Sequence, residues 1–264
     1  MTDIQGAAPG QSEITLSIVL PVRNDAPSVN MMVRILAAVV DVPSELIVVY
    51  DDPSDTSIPA IESLAPRFGS LRGLLNTTGP GVLNAVRAGV AASNGEYVLI
   101  FAADEIGPVL ALEPMLELMR QGCDLVSCTR YAGGGKRYGG SLLGHILSRT
   151  ANIAFRILSS SALTDCTTGI KMFRRGVFPR LTFADNHRGW SFAFEMAIRA
   201  QLLDFKLAEV PIVSIDRLFG GQSTFRPIPW IISYSRWFIW GIRMLPPWRR
   251  PRPKLLYQPV YRTS

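Results

Sequence analysis

The chain has 264 residues, 48% of them hydrophobic, which is enough for one large domain or two small ones with a substantial core. Two histidines, His145 and His187, leave little material for an imidazole metal site, and the three cysteines lack a zinc spacing, which indicates a reducing cytosol and thiols that fill core space. The net charge of +6 is uneven, because residues 217–264 carry nine Lys/Arg and no Asp or Glu, so a basic tail follows a mildly acidic body.

The first half of the chain alternates predicted strands and helices. Apolar runs rich in β-branched residues predict strands at 16–20, 45–50, 71–75, 97–102 and 124–129. Helical spacing predicts helices at 28–41, 58–68, 81–92 and 110–120. This alternation predicts an open parallel sheet with its Asp-bearing strand ends on one edge.

The second half is less regular. Residues 132–140 are rich in glycine, and we expect them to be mobile. Helices are expected at 141–158 and 191–203 and a strand at 207–215. The first 13 residues are polar, contain Gly and Pro, and are expected to form a flexible leader rather than a signal peptide. No apolar run reaches the roughly 18 residues needed to span a bilayer.

Acidic clusters follow two of the predicted strands: Asp51 with Asp52, and Asp104 with Glu105. Ligands bind outside the carboxyl ends of strands in a parallel α/β sheet. The first cluster could accept hydrogen bonds from a nucleobase or ribose, and the second could hold a divalent cation that bridges phosphate oxygens. Two alternatives stay open, since residues 51–54 also suit a turn and Asp104 and Glu105 suit the first turn of a helix.

Three further motifs bear on phosphate binding. Residues 79–84 (G-P-G-V-L-N) imitate a dinucleotide fingerprint but lack its third glycine and do not occupy the first βα turn. Arg130 follows a predicted strand and suits bidentate phosphate contacts, although a surface ion pair would explain it equally well. Residues 216–223 (D-R-L-F-G-G-Q-S) follow a strand and predict a lid over an anionic ligand.

The ordered series of motifs over residues 14–245 resembles glycosyltransferase family 2, in particular the branch that makes polyprenyl-phosphate sugars of the dolichol-phosphate mannose type. The matching segments are 20–25, 49–54, 84–89, 129–131 with the glycines that follow, 165–173, 192–195, 209–211 and 216–223. The resemblance implies an α/β fold of the GT-A type, with a mostly parallel open sheet flanked by helices and a C-terminal amphipathic helix. The family's D-x-D reads Ala102-Ala103-Asp104 here, and Lys171 replaces a usual Arg.

The resemblance also implies a reaction and its residues. A sugar would pass from GDP-mannose or a UDP-hexose to a polyprenyl phosphate in one inverting displacement. The implied catalytic residues are Asp104, Arg130 and Arg217. The implied nucleotide site contains Pro21, Val22, Asn24, Asp51 and Asp52. The implied acceptor-phosphate residues are Arg130, Arg149, Arg217 and Ser223. Mg²⁺ or Mn²⁺ would be held by Asp104 and Glu105, the latter replacing the missing first Asp.

The C-terminal region predicts membrane contact. Residues 14–226 would form the GT-A domain, and residues 227–264 an interfacial amphipathic helix with a basic tail. Residues 228–245 are rich in Trp, carry Arg236 and Arg243 on one helical face, and are too short and too charged to span. We therefore expect the protein peripherally on the cytoplasmic membrane face, while a helix packed on the body or an oligomer contact stays open. Nucleic acid is disfavoured, since no recognition helix accompanies the charge.

Two other functions remain open. A transferase of the same fold could use a saccharide hydroxyl as acceptor, which would require a carboxylate base. A catalytically silent nucleotide-sugar-binding protein on membranes is favoured by Ala102. The oligomeric state is not indicated by the sequence.

Overall fold

The computed structural model describes residues 14–139, 142–185, 187–215, 227–248 and 255–257, without the side chains of 143, 227–229 and 257. The strands are β1 Leu16–Pro21, β2 Ser44–Tyr50, β3 Leu71–Leu75, β4 Tyr97–Ile100, β5 Leu125–Thr129, β6 Lys136–Tyr138, β7 Lys171–Arg174, β8 Leu207–Pro211, β9 Val213–Ile215 and β10 Leu256–Tyr257. The helices are α1 Ala26–Val39, α2 Ile58–Leu64, α3 Val82–Ala92, α4 Leu112–Arg120, α5 Leu142–Leu158, α6 Ser191–Leu202 and α7 Pro227–Met244. Two 3₁₀ segments lie at Gly107–Ala111 and Arg175–Arg180.

Eight strands form one sheet in the order β10-β8-β5-β7-β4-β1-β2-β3. All neighbours are parallel except β7, which runs antiparallel between β4 and β5. The continuous apolar runs of β1 and β2 are buried because helices cover both faces of the sheet. The predicted mostly parallel sheet flanked by helices is confirmed.

The helices pack closely against this sheet. Asp25 caps α1 by accepting a hydrogen bond from the backbone N–H of Ser28 at 3.3 Å, and one face of the helix buries Met32 and Leu36. On α3, Gly89 permits close approach, since a Cβ there would lie 2.3 Å from Val19 Cγ1. Two hydrophobic cores result, one on each side of the sheet.

Several predicted elements differ from the observed ones. The strand β7 was not predicted. The strand predicted at 207–215 breaks at Ile212, and its second part, β9, leaves the main sheet to pair with β6. The strand β6, at Lys136–Tyr138, lies within the glycine-rich stretch that the sequence predicted to be mobile. The helix predicted at 58–68 ends earlier, at Leu64. The helix predicted at 110–120 begins as a 3₁₀ segment and becomes α-helical only at Leu112.

The C-terminal helix α7 packs on the body along one face. Trp237 is 4% exposed and stacks on His187 at 4.8 Å between ring centroids. A Cβ at Gly241 would lie 2.7 Å from both Phe155 on α5 and Ile198 on α6, which shows how closely the three helices meet. The other face of α7 is exposed. Within the described ranges, none of the helices combines the length and the hydropathy that crossing a bilayer requires.

Candidate functional site

The loops after β1 and β2 are joined at the carboxyl edge of the sheet. The backbone N–H of Asn24 donates to Asp55 Oδ2 at 2.9 Å, and Asn24 Oδ1 accepts from the N–H of Thr56 at 3.1 Å. Asn24 has a φ of 52°, a conformation that asparagine tolerates better than most residues. The N–H of Val22, next to Pro21, donates to Val49 O at 2.9 Å. The sequence prediction placed Asn24 at this edge but missed Asp55, its buried partner.

Asp51 organises the neighbouring loops. Its Oδ1 accepts from Asn76 Nδ2 at 2.8 Å, and its Oδ2 accepts from the N–H of Gly81 at 2.8 Å. Asn76 follows β3 and Gly81 precedes α3, so one carboxylate ties the end of β2 to both ends of the loop between β3 and α3. Asp51 is therefore bound to protein groups along this edge, and Asn76 is a residue that the sequence prediction missed.

Asp52 presents its side chain at the solvent edge. Its Oδ1 accepts from the N–H and the hydroxyl of Ser54, at 2.8 and 2.7 Å. These hydrogen bonds from Ser54 lower the pKa of the Asp52 carboxyl, so the side chain is ionised at neutral pH. The turn that residues 51–54 also suited is present, and it holds an exposed carboxylate beside the proposed nucleotide position.

Asp104 and Glu105 lie in a turn beyond the end of β4. The following 3₁₀ segment begins at Gly107, so neither carboxylate belongs to the first turn of a helix. Glu105 Oε2 accepts from the hydroxyl of Ser214 on β9 at 3.4 Å. A Cβ at Gly107 would lie only 1.5 Å from Val213 O, so β9 fixes the turn from behind.

This turn could offer a metal ion two carboxylates, those of Asp104 and Glu105. Among the described residues, no group of three or more His, Cys, Asp or Glu side chains is gathered to hold an ion. Two carboxylates nevertheless fit Mg²⁺, which usually takes one or two protein carboxylates and completes its octahedron with water and substrate phosphates. The donor set therefore fits an ion that arrives with a diphosphate.

Arg130, just after β5, forms a bidentate ion pair with Asp165. Its Nε donates to Asp165 Oδ2 at 2.7 Å and its Nη2 donates to Oδ1 at 3.0 Å. The Arg130 side chain is 11% exposed and Asp165 is wholly buried. Burial opposes ionisation of both groups, but the Arg130 charge lowers the pKa of Asp165 and the Asp165 charge raises the pKa of Arg130. Both remain charged, so the ion pair that was an alternative at Arg130 exists, in the interior rather than at the surface.

The inner face of α5 is bonded to this pair. Thr167 Oγ1 accepts from Arg130 Nη2 and from Asn152 Nδ2, each at 2.9 Å. Ser148 Oγ accepts from the Tyr131 hydroxyl at 2.8 Å. Hydrogen bonds thus join three parts into one unit: the helix α5, the loop after β5, and residues 165–168.

Glu209 and Lys171 complete the buried network. Glu209 Oε1 accepts from the backbone N–H groups of Thr164 and Asp165, at 2.8 and 3.1 Å. Burial raises the pKa of Glu209 to about 7 despite these bonds. Lys171 Nζ donates to Ser127 Oγ at 3.0 Å and to Thr168 O at 2.6 Å, and burial lowers its pKa. Neither Asp165 nor Glu209 received a role from the sequence, although both stand in quoted motifs.

The remaining predicted site residues are separated from this network or lie outside it. Arg149 is exposed on α5, one residue beyond Ser148. Arg217, Ser223 and the rest of the segment predicted as a lid lie outside the described residues. The structure thus brings Asp51 and Asp52, Asp104 and Glu105, and Arg130 to the same edge of one sheet.

Comparison with known proteins gives the family. The family described as "Glycosyl transferase family 2" matches residues 17–182. A dolichyl-phosphate hexose transferase of Haloferax volcanii is 28% identical over 216 residues, covering 80% of this chain and 87% of that protein. Glycosyltransferase AglD of the same organism is 27% identical over 224 residues, but the chain spans only 35% of its length. A polyprenol monophosphomannose synthase of Mycolicibacterium smegmatis is 31% identical over 110 residues, and the match spans 42% of its length.

Solved structures show the same fold. Glucosyl-3-phosphoglycerate synthase from Mycobacterium tuberculosis, in complex with phosphoglyceric acid, superposes with a TM-score of 0.62 at 21% identity, covering 87% of this chain and 79% of that one. Its complex with Mn²⁺, uridine diphosphate and glucosyl-3-phosphoglycerate gives 0.61 at 21% identity, covering 92% and 85%. The family match covers more than half of the chain, and the folds agree. The chain therefore belongs to glycosyltransferase family 2 and is a glycosyltransferase.

Proposed function

We propose that this enzyme transfers a hexose, with inversion, from GDP-mannose or a UDP-hexose to a polyprenyl phosphate at the cytoplasmic face of a membrane. The names of two relatives, a dolichyl-phosphate hexose transferase and a polyprenol monophosphomannose synthase, support the acceptor class. The uridine diphosphate complexes of the related fold support a nucleotide-sugar donor.

The donor nucleotide would lie along the ends of β1 and β2. The exposed Asp52 carboxylate can accept hydrogen bonds from a ribose hydroxyl or a base N–H. Asp51 holds the surrounding loops, and Asn24 with Pro21 and Val22 shapes the adjoining turn. In this proposal Asp52 makes the contact and Asp51 positions it.

The donor diphosphate would lie against Asp104 and Glu105. We propose that these two carboxylates hold Mg²⁺ or Mn²⁺, as the Mn²⁺ complex of the related fold supports. Such an ion would neutralise the charge that develops on the leaving diphosphate. Ser214 would keep Glu105 oriented for this role.

One observation favours a phosphate acceptor over a saccharide hydroxyl. A hydroxyl needs a general base, whereas a phosphate oxygen is already an anion. Beside Arg130, Asp165 is wholly buried in an ion pair and Glu209 is buried beneath backbone N–H donors. Both carboxylates are fully buried, so neither is accessible to the hydroxyl of a saccharide acceptor. Catalysis would then rest on positioning and on neutralising charge.

The arginines proposed to bind the acceptor phosphate would have two different roles, one structural and one in contact with the phosphate. Because two guanidinium nitrogens of Arg130 already bond Asp165, we propose that Arg130 chiefly fixes residues 165–168. Arg149, exposed on α5, and Arg217 would contact the acceptor phosphate, with Ser223 closing the lid. The exposed face of α7 and the basic residues after it would hold the enzyme at anionic lipid.

A turnover assay tests this proposal. The enzyme is incubated with GDP-mannose, UDP-glucose or UDP-galactose, with Mg²⁺ or Mn²⁺, and with either polyprenyl phosphate or a panel of saccharides. A lipid-linked sugar product is expected only with polyprenyl phosphate. A product on saccharides alone would assign the hydroxyl reaction, and nucleotide binding without any product would assign a silent binding protein.

A further inference from the structure

The outward face of α5 is an apolar stripe. Four aliphatic side chains, exposed to solvent, recur at helical spacing along it: Leu142, Ile146, Ile153 and Ile157. Arg149 and Arg156, seven residues apart, flank the stripe and are also exposed. Exposed aliphatic residues are common singly, but four on one face of one helix are the kind of grouping that marks a contact surface.

The neighbouring helix α7 repeats this arrangement. Ile232 and Ile239 are exposed seven residues apart, and Arg236 and Arg243 are exposed seven residues apart on the same face. The two helices touch through Phe155 and Phe238, whose ring centroids are 5.6 Å apart. Neither helix carries an Asp or Glu.

The opposite face of α5 belongs to the site. Ser148 and Asn152 bond Tyr131 and Thr167, and Thr167 bonds Arg130. One helix therefore presents polar groups to the buried network on one side and aliphatic groups to the exterior on the other.

We propose that the exposed face of α5 is a lipid-contacting surface, so that two helices rather than α7 alone lie in the membrane interface. The phosphate of a membrane-bound acceptor then reaches the site along α5, past Arg149. The route of the acceptor rests on the proposed function, whereas the membrane contact does not.

Charge favours an anionic bilayer over a second copy of the chain as the occupant. Aliphatic residues flanked by arginines, without carboxylates, complement apolar chains beneath anionic headgroups. A two-fold contact would set the same surface against itself. It would oppose arginines with arginines and supply no carboxylate from either helix.

Vesicle binding tests the proposal with uncharged substitutions. The variant Ile146→Gln/Ile157→Gln, at positions 50% and 70% exposed, is compared with Val39→Gln/Leu110→Gln, at positions 49% and 61% exposed. Both are measured by co-sedimentation with phosphatidylcholine vesicles that contain about a quarter phosphatidylglycerol. We expect the α5 variant to lose about tenfold in partitioning, and the control variant to match the wild type.

Three outcomes overturn the proposal. The first is equal partitioning of the α5 variant and the wild type. The second is an equal loss in the control. The third is a wild-type oligomer in lipid-free sedimentation that the α5 variant abolishes, because the surface would then join copies. If circular dichroism shows the double variant unfolded, Ile157→Gln alone must still lose about threefold.

An activity measurement separates this proposal from the proposed function. With a water-soluble short-chain prenyl phosphate, the α5 variant should turn over like the wild type. With polyprenyl phosphate in vesicles, its KM should rise about tenfold. Absence of turnover in every protein would count against the proposed function and leave the vesicle-binding result valid.

Discussion

Arg130 and Asp165 lie 35 residues apart in the chain and form a bidentate ion pair, with Nε to Oδ2 at 2.7 Å and Nη2 to Oδ1 at 3.0 Å. The pair links the loop after β5 to the segment before β7. Thr167 and Asn152 extend the link to α5. The stability of this hydrogen-bonded unit therefore depends on one buried carboxylate, that of Asp165.

Replacing that carboxylate should be costly. Asp165→Asn leaves the Arg130 charge buried without its counter-ion, and breaking such a pair typically costs about 3–5 kcal/mol. Urea unfolding of wild type and variant gives the difference directly. Glu96→Gln serves as the control, because the Glu96–Arg174 pair is solvent-exposed and should contribute at most about 1 kcal/mol. Equal losses in the two variants would mean that the Arg130 pair is no stronger than a surface contact.

Asp104→Asn should lower kcat by about tenfold or more with little change in Tm, because the metal proposed to bind there would offset the diphosphate charge. Glu105→Gln tests whether Glu105 is a second ligand, and should lower kcat and raise the Mg²⁺ concentration needed for half-maximal rate. Glu113→Gln, an exposed carboxylate on α4, is the matched control. A wild-type rate in Asp104→Asn with Mg²⁺ or Mn²⁺ present would contradict the metal role.

The pKa of Glu209 gives a stability prediction with a defined sign. Its folded-state pKa of about 7 lies above the ordinary glutamate pKa of 4.5, so the folded protein binds this proton more tightly than the unfolded chain does. Its contribution is full below pH 4.5 and is lost as the pH rises through 7. Glu209→Gln keeps an acceptor for the backbone N–H groups of Thr164 and Asp165 and does not ionise. The unfolding free energy of wild type minus that of the variant should fall between pH 5 and 8 by at least about 1 kcal/mol. A flat difference would contradict the raised pKa.

Two tryptophans of the C-terminal region should differ in their contribution to stability, because one is buried and the other is exposed. Trp237→Ala should cost about 3–5 kcal/mol, since Trp237 is 4% exposed and stacks on His187. Trp248→Ala, at a position 78% exposed, should cost less than about 0.5 kcal/mol. Chemical denaturation measures both. A small loss at Trp237 would mean that the rest of the domain folds without α7. Only in that case would deletion of residues 228–264 test membrane attachment without also unfolding the protein.

The sequence predicted the strands whose signal is local. β1 and β2 are apolar runs that end at turn residues, so composition alone locates them. The strand β7 was not predicted because it has only four residues and a charged residue at each end, Lys171 and Arg174. Its Lys171 is tolerated in the sheet only because Ser127 and Thr168 accept its hydrogen bonds, and the sequence does not reveal those partners.

At the site, too, the sequence predicted features with a local signal and missed those that depend on distant partners. The position of Asp51 after an apolar run predicted its place at the sheet edge. Its bonds to Asn76 and Gly81 join residues at least 25 positions away, and no local pattern encodes them. Arg130 was placed correctly after β5, but its burial depends on Asp165, which only the unpredicted direction of β7 brings into contact.

The position of β7 between β4 and β5 also sets a width. Because β7 lies between these two strands in the sheet, the acidic turn of Asp104 and the loop of Arg130 are two strand spacings apart, about 10 Å. A sheet with β4 and β5 as direct neighbours would halve that gap and would lack the segment that carries Asp165. The inserted strand therefore acts as a spacer between the turn of Asp104 and the loop of Arg130, and under the proposed function that gap would admit one sugar ring between the two phosphate groups.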